Sequence, residues 1–133
     1  MPRVAKQYID RKLTLSLEPL GLQGSQAQYI MAVSRNPGAS MKKVTEYLMV
    51  DKSITTRTVG ALIHLGLVRN DSENTRQYHL MLTKEGERIV RIIEKALEDI
   101  WKDLVSDLTQ EELNIFKSVC IKLNTKMKEE AGN

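Results

Sequence analysis

Residues 51–68, "DKSITTRTVGALIHLGLV", read as a helix whose first two turns offer mainly hydroxyls and cations, namely Lys52, Ser53, Thr55, Thr56 and Arg57. Serine and threonine are mediocre helix formers, because β-branching restricts χ1 and a hydroxyl can bond the nearby backbone instead. Helix stability is therefore a poor reason for their presence. Asp51 is placed to cap this helix and to favour its positive dipole end, and Gly66 to close it as a C′ glycine. The apolar side is expected to run through Ile54, the methyl of Thr58, Ala61, Leu62 and Leu65, broadened by Val59 and Ile63. Which of Thr55 and Thr56 points outward stays open at this level.

Just upstream, Ser40 stands where an N-cap should, ahead of a short helix "MKKVTEYLMV". Only a few residues, Val50 and Asp51 among them, join it to the hydroxyl-rich helix, which predicts a helix-turn-helix. Downstream, "LVRNDSENTRQYHLMLT" changes period. Leu67 and Val68 begin an extended run, "NDSEN" is turn chemistry, and Tyr78, Leu80 and Leu82 alternate with Gln77, His79 and Met81, so a β-hairpin with a polar tip is expected.

Farther out, a helix over 3–17 should end at Pro19 and Gly21, and a second should run from Ser25 until Asn36, Pro37 and Gly38 stop it. Thr83 is the expected cap of a long helix with an apolar stripe of Ile89, Ile93, Ala96, Leu97, Ile100 and Leu104. In the last helix Thr109 and Glu112 make a capping box, and Leu108 is placed to staple to Leu113. Leu113, Phe116, Cys120, Leu123 and Met127 then step by three and four residues, the a/d spacing of a seam that meets another helix. The fold class expected is mostly α with a small β-hairpin wing.

Bulk properties narrow the function. A chain of 133 residues with 41% hydrophobic content supplies one ordinary core, hence a single domain. The net charge of +3 is too small to point to a polyanion by itself, so the placement of charge matters more than its sum. The single cysteine, Cys120, excludes an internal disulfide framework and a cysteine-rich zinc site, and on the seam it is expected to behave as a small buried hydrophobe. No apolar run is long enough for a membrane span, and "MPRVAKQYIDRKL" carries charges where a signal peptide needs its apolar stretch. A soluble, cytoplasmic protein is expected, with no membrane partner. His64 and His79 sit in no nucleophile or metal motif, so no enzyme, cofactor or metal site is expected.

The polar face of the hydroxyl-rich helix could simply be solvated. Its place on the second helix of a helix-turn-helix favours DNA contact, because the N-terminal residues of that helix enter the major groove in such proteins. Hydroxyls bond phosphates and bases, and an arginine can grip guanine in a bidentate way. Lys42 and Lys43 in the first turn of the preceding helix oppose its dipole unless an anion such as phosphate meets them, and Arg76 follows the hairpin turn. The DNA-contacting set expected is Ser40, Lys42, Lys43, Lys52, Ser53, Thr55, Thr56, Arg57, Arg69 and Arg76.

Together these pieces resemble the MarR family of winged helix-turn-helix regulators. The matching stretches are "LQGSQ" at 22–26, "NPGAS" at 36–40, "VDKSITTRTVGALIHLGLV" at 50–68 and "RQYHLMLTKEG" at 76–86. The chain departs from the family pattern at Gln23, Asn74 and Thr75. The resemblance implies one MarR-like domain over 1–133, with dimerisation helices at 1–22 and 105–133, a winged helix-turn-helix at 23–86 and a connecting long helix at 87–104. It further implies a homodimer that binds a pseudo-palindromic double-stranded operator, most often as a repressor, with dimerisation through Leu113, Phe116, Cys120, Leu123 and Met127. A small aromatic effector is implied as well, with Tyr8, Tyr29, Tyr47 and Trp101 as the aromatic side chains that could line its pocket. The competing reading is a winged-helix protein-interaction module without specific DNA binding.

Overall fold

The structure is a computed structural model and describes residues 2–74 and 76–131; Thr75, singled out above in the wing, lies outside the described residues. In chain order the elements are α1 (Pro2–Leu17), a 3-10 turn (Glu18–Leu20), α2 (Gly24–Arg35), α3 (Met41–Leu48), α4 (Lys52–His64), β1 (Val68–Asn70), β2 (Leu80–Leu82), α5 (Lys84–Leu104) and α6 (Gln110–Ala131). This is the expected mostly helical order with one antiparallel hairpin. The chain divides into two compact units, one extending to Ile100 and the other beginning at Trp101.

In the first unit, α1 and α2 are tied by polar contacts as well as packing. The Thr14 hydroxyl accepts the Gly24 N–H at 2.9 Å, and Gln28 Nε2 donates to Asp10 Oδ1 at 3.1 Å. A side chain at Gly24 would put its Cβ 2.6 Å from the Asp10 carbonyl oxygen, so the approach of the two helices requires glycine there. Leu13 and Leu17 of α1, Ile30 and Val33 of α2, Val44 of α3, Val59 and Leu62 of α4, Leu80 of β2 and Ile89 and Ile93 of α5 share one buried core.

The helix ends follow local chemistry. Ser40 Oγ accepts the Lys43 N–H at 3.0 Å, as a cap should. At the other end of α3, Met49 lies in the left-handed region at φ 56°, and the Val50 N–H reaches back to the Thr45 carbonyl at 3.2 Å. Helix α4 closes the same way through Gly66 at φ 77°, with the Leu67 N–H on the Leu62 carbonyl at 3.0 Å. These are Schellman closures, one built on glycine and one on methionine. Asp51 occupies the N-cap position of α4 with extended backbone, but its side chain makes no capping bond, contrary to expectation. The orphan N–H groups of that first turn are left to solvent.

The buried stripe of α4 also differs from the expected one. Thr55, Val59 and Leu62 are buried, whereas Ile54, Ala61 and Leu65 are exposed. Both stripes have helical spacing, and the sequence choice followed the more apolar residues; the neighbours on α2, α3 and β1 meet the other one.

The hairpin is shorter than its alternation suggests, three residues per strand, pairing Val68 with Leu82, Arg69 with Met81 and Asn70 with Leu80. Beyond Asn70 the ladder gives way to side-chain bonds, because Asn70 Oδ1 accepts the N–H groups of both Ser72 and His79. Ala39 adds a bridge on the outer side of Leu80, so the segment before α3 is anchored to the wing base. Gly86, in the first turn of α5, is pressed against the Leu67 carbonyl so closely that a Cβ would collide with it.

In the second unit α6 begins with the expected reciprocal box, Thr109 N–H to Glu112 Oε1 at 2.9 Å and Glu112 N–H to Thr109 Oγ1 at 3.1 Å. Over residues 110–130 of this helix only Leu113 is partly covered; every residue from Asn114 to Glu130 is exposed in the single chain.

Candidate nucleic-acid interface

Three segments converge on one concave surface. The start of α3 contributes Ser40, Met41 and Lys42, the first turns of α4 contribute Lys52 and Thr56, and the wing contributes Arg76, Gln77 and Tyr78, together lining a cleft of roughly 640 Å³. Five of these eight, Ser40, Lys42, Lys52, Thr56 and Arg76, are in the set expected from sequence. Lys52 and Thr56 also border a second, shallower depression with Ser53 and Arg57. One continuous polar strip therefore passes from α3 across the front of α4, with the wing arginine beside it.

The geometry of α4 separates its two adjacent threonines. Thr55 has 0% of its surface exposed and its hydroxyl makes a long 3.4 Å contact with the Asp51 carbonyl, so it faces the core and is corrected out of the contact set. Thr56 faces outward, its hydroxyl donating to the Lys52 carbonyl at 3.1 Å while its lone pairs stay open to an incoming donor. Ser53 and Arg57, four residues apart, share the most outward line of the helix and make no side-chain hydrogen bond among the described residues.

Other members of the expected set are placed differently. Arg69 is committed to its own wing: Nε donates to Asp71 Oδ1 at 2.7 Å and Nη1 to the Leu82 carbonyl at 2.9 Å. The hydrogen bond to the Asp71 carboxylate, and then its charge, raise the guanidinium pKa above its ordinary value. The structure thus gives Arg69 a wing-bracing role rather than a free cation. Among the described residues Arg76 has no such carboxylate; its backbone N–H is held by Asn74 Oδ1 at 2.9 Å, and its side chain is exposed. Lys43 is exposed on α3 but does not line the cleft. Gln77 and Tyr78 were missed from the sequence, although their position directly after Arg76 was the available signal.

The aromatic set does not assemble. Tyr29 is 3% exposed in the core, with a hydroxyl that finds no partner among the described residues. Tyr8, on α1, is half-buried against the core, with Lys12 Nζ 5.7 Å from its ring centre. Trp101 is exposed in the second unit. Tyr47 lines a cavity of about 300 Å³ whose wall also includes Leu13, Met31, Leu48 and Leu97, with Lys6, Asp10 and Arg35 among its polar residues.

Of the expected dimerisation residues, Phe116, Cys120, Leu123 and Met127 are exposed in the single chain and Leu113 is partly covered. Cys120 is therefore not a core residue of one chain, because α6 offers its apolar seam outward. His64 is exposed in the last turn of α4 and His79 is exposed just before β2. No group of acidic, histidine or cysteine side chains that could hold a metal occurs among the described residues, and among them no helix is long and apolar enough to cross a membrane.

Comparison with known proteins agrees with the sequence motifs. The family model described as MarR family matches residues 20–77, which include α2, α3, α4 and β1 and end before β2. The HTH-type transcriptional regulator YwoH of Bacillus subtilis (strain 168) is 29% identical over 111 residues, covering 83% of this chain and 81% of the relative. A crystal structure of MarR superposes with a TM-score of 0.84 at 27% identity, covering 94% of this chain and 93% of that one. A MarR variant from E. coli complexed with operator DNA shares the fold at a TM-score of 0.73 and 22% identity, over 91% of this chain and 89% of that one. By its motifs, its winged helical fold and these matches, the chain is similar to MarR-family regulators.

Proposed function

We propose that this protein is a sequence-specific double-stranded DNA-binding transcriptional regulator, acting as a homodimeric repressor on a pseudo-palindromic operator. The observation that carries the reading is the outward line of Ser53 and Arg57 on α4, flanked by a cleft that gathers Lys42, Lys52, Thr56 and Arg76. Such a helix end enters the major groove with arginine and hydroxyls at the base edges, while the surrounding cations meet phosphates. A fold relative was solved with operator DNA, which supports duplex DNA as the ligand.

The homodimer rests on α6, whose seam of Phe116, Leu123 and Met127 is too apolar to face water over its whole length. Two copies joined there would carry two reading helices, which matches a two-fold operator. An effector role is supported by the cavity beside Tyr47, whose apolar walls with Lys6, Asp10 and Arg35 at the polar positions suit a small aromatic ligand. The reading is of a binding protein and not an enzyme, with a cytoplasmic location.

Replacing Arg57 by alanine tests it. Specific binding should weaken by about 1–3 kcal/mol while weak binding to unrelated duplex persists. Unchanged specific affinity at physiological salt would remove Arg57 from the interface. A flat dependence of affinity on salt would instead favour the protein-interaction module, since phosphate contacts release counterions.

A further inference from the structure

The exposed face of α4 has two unlike flanks. On the wing side of the Ser53–Arg57 line stand Lys52 and Thr56, both bordering the cleft with Arg76. On the opposite side stand Ile54, Ala61 and Leu65, with Thr58 half-buried between them. Ile54 is 39% exposed in the first turn, next to the Ser53–Arg57 line, and Leu65 is 52% exposed in the closing turn. Their separation of 11 positions corresponds to about 16 Å along the helix axis.

An exposed isoleucine in a first helical turn has no local reason to be there. β-Branching makes it a weaker helix former than an unbranched residue, and the core is served by Thr55 beside it. Its shape has a use against DNA, because thymine alone among the four bases carries a methyl group on its major-groove edge, and apolar side chains recognise it by contact. A β-branched side chain holds few rotamers on a helix, so little freedom is lost on docking.

We propose that Ile54 is a specificity-determining residue that packs on the 5-methyl group of a thymine, on the side of α4 away from the wing. The inference rests on the DNA-binding reading above and deepens it. It assigns the polar flank of α4 to phosphates near the wing and the apolar flank to one thymine in each half-site.

The test removes methyl groups one at a time. With full-length protein and its best selected duplex, each thymine is replaced by deoxyuridine, which changes nothing else on the base. One position per half-site should weaken binding by about threefold to fivefold, the effect of one buried methyl. With Ile54→Ala that position should become indifferent to the change, while Leu65→Ala should keep the parent's sensitivity. Tight, specific binding by the parent with no sensitive thymine would overturn the inference and leave the DNA reading standing, as would sensitivity that survives Ile54→Ala. Failure of the parent to select any duplex would overturn the DNA reading itself, and this inference with it.

Discussion

The Thr83 hydroxyl donates to the Gly66 carbonyl oxygen at 2.6 Å and accepts the Gly86 N–H at 3.0 Å. One side chain therefore closes the C-terminus of α4 and opens α5, spanning the base of the wing. Its position fixes where the wing leaves α4. Thr83→Val keeps the shape and removes both bonds, and should lower the unfolding free energy by about 1–2 kcal/mol in denaturant titrations at fixed protein concentration. Thr83→Ser should retain most of the parent's stability; equal stability of all three proteins would show that the bonds contribute nothing.

Thr55 and Thr56 should separate in a paired experiment. Thr55→Val replaces a buried hydroxyl whose single contact is long, and the Asp51 carbonyl keeps its bond from the Thr55 N–H. Stability should be unchanged or higher by up to about 1 kcal/mol, with DNA affinity unaltered. Thr56→Val should leave thermal stability alone and weaken specific binding by about 1 kcal/mol, the worth of one hydroxyl hydrogen bond. A reversed pattern would mean that α4 is rotated from its described position.

Met49 holds a left-handed conformation at φ 56° in the turn between α3 and α4, and 90% of its surface is exposed. It gives up little packing there and carries the steric cost of its Cβ. Met49→Gly should raise stability by roughly 1 kcal/mol, because glycine adopts this conformation without that clash. A loss of stability would show that the methionine side chain is covered in the working protein.

The seam on α6 should govern assembly. Phe116→Lys combined with Leu123→Glu puts two charges where apolar contact is proposed. Sedimentation should find the parent dimeric and the double variant as a poorly soluble or unfolded monomer. A well-folded monomeric variant that still bound its operator would contradict the dimer.

Much of this architecture was legible because its punctuation is chemical. Ser40, Gly66, Thr83 and the Thr109/Glu112 pair each mark a helix end by a bond or a backbone angle that few other residues supply. The stripe of α4 was not legible, since Ile54 and Thr55 are both β-branched and the deciding fact is which neighbours lie opposite. Asp51 misled for a related reason: its type suits a cap, but the side-chain rotamer is not written in the sequence. In the interface, the residues of α4 and α3 follow from helical geometry, whereas the commitment of Arg69 to Asp71 depends on the bend of a three-residue strand. Tyr8, Tyr29, Tyr47 and Trp101 share only their chemistry, and nothing in their spacing brings them to one pocket.

Whether α4 reads bases from both halves of a dimer is decided by selection of random duplex DNA with the purified protein, followed by a salt titration on the best site. A dimer reading DNA through α4 should enrich an inverted repeat with half-site centres about 10 base pairs apart, or a multiple of that, and bind it with an affinity that falls steeply with salt. No enriched sequence, with weak binding indifferent to salt, would contradict it.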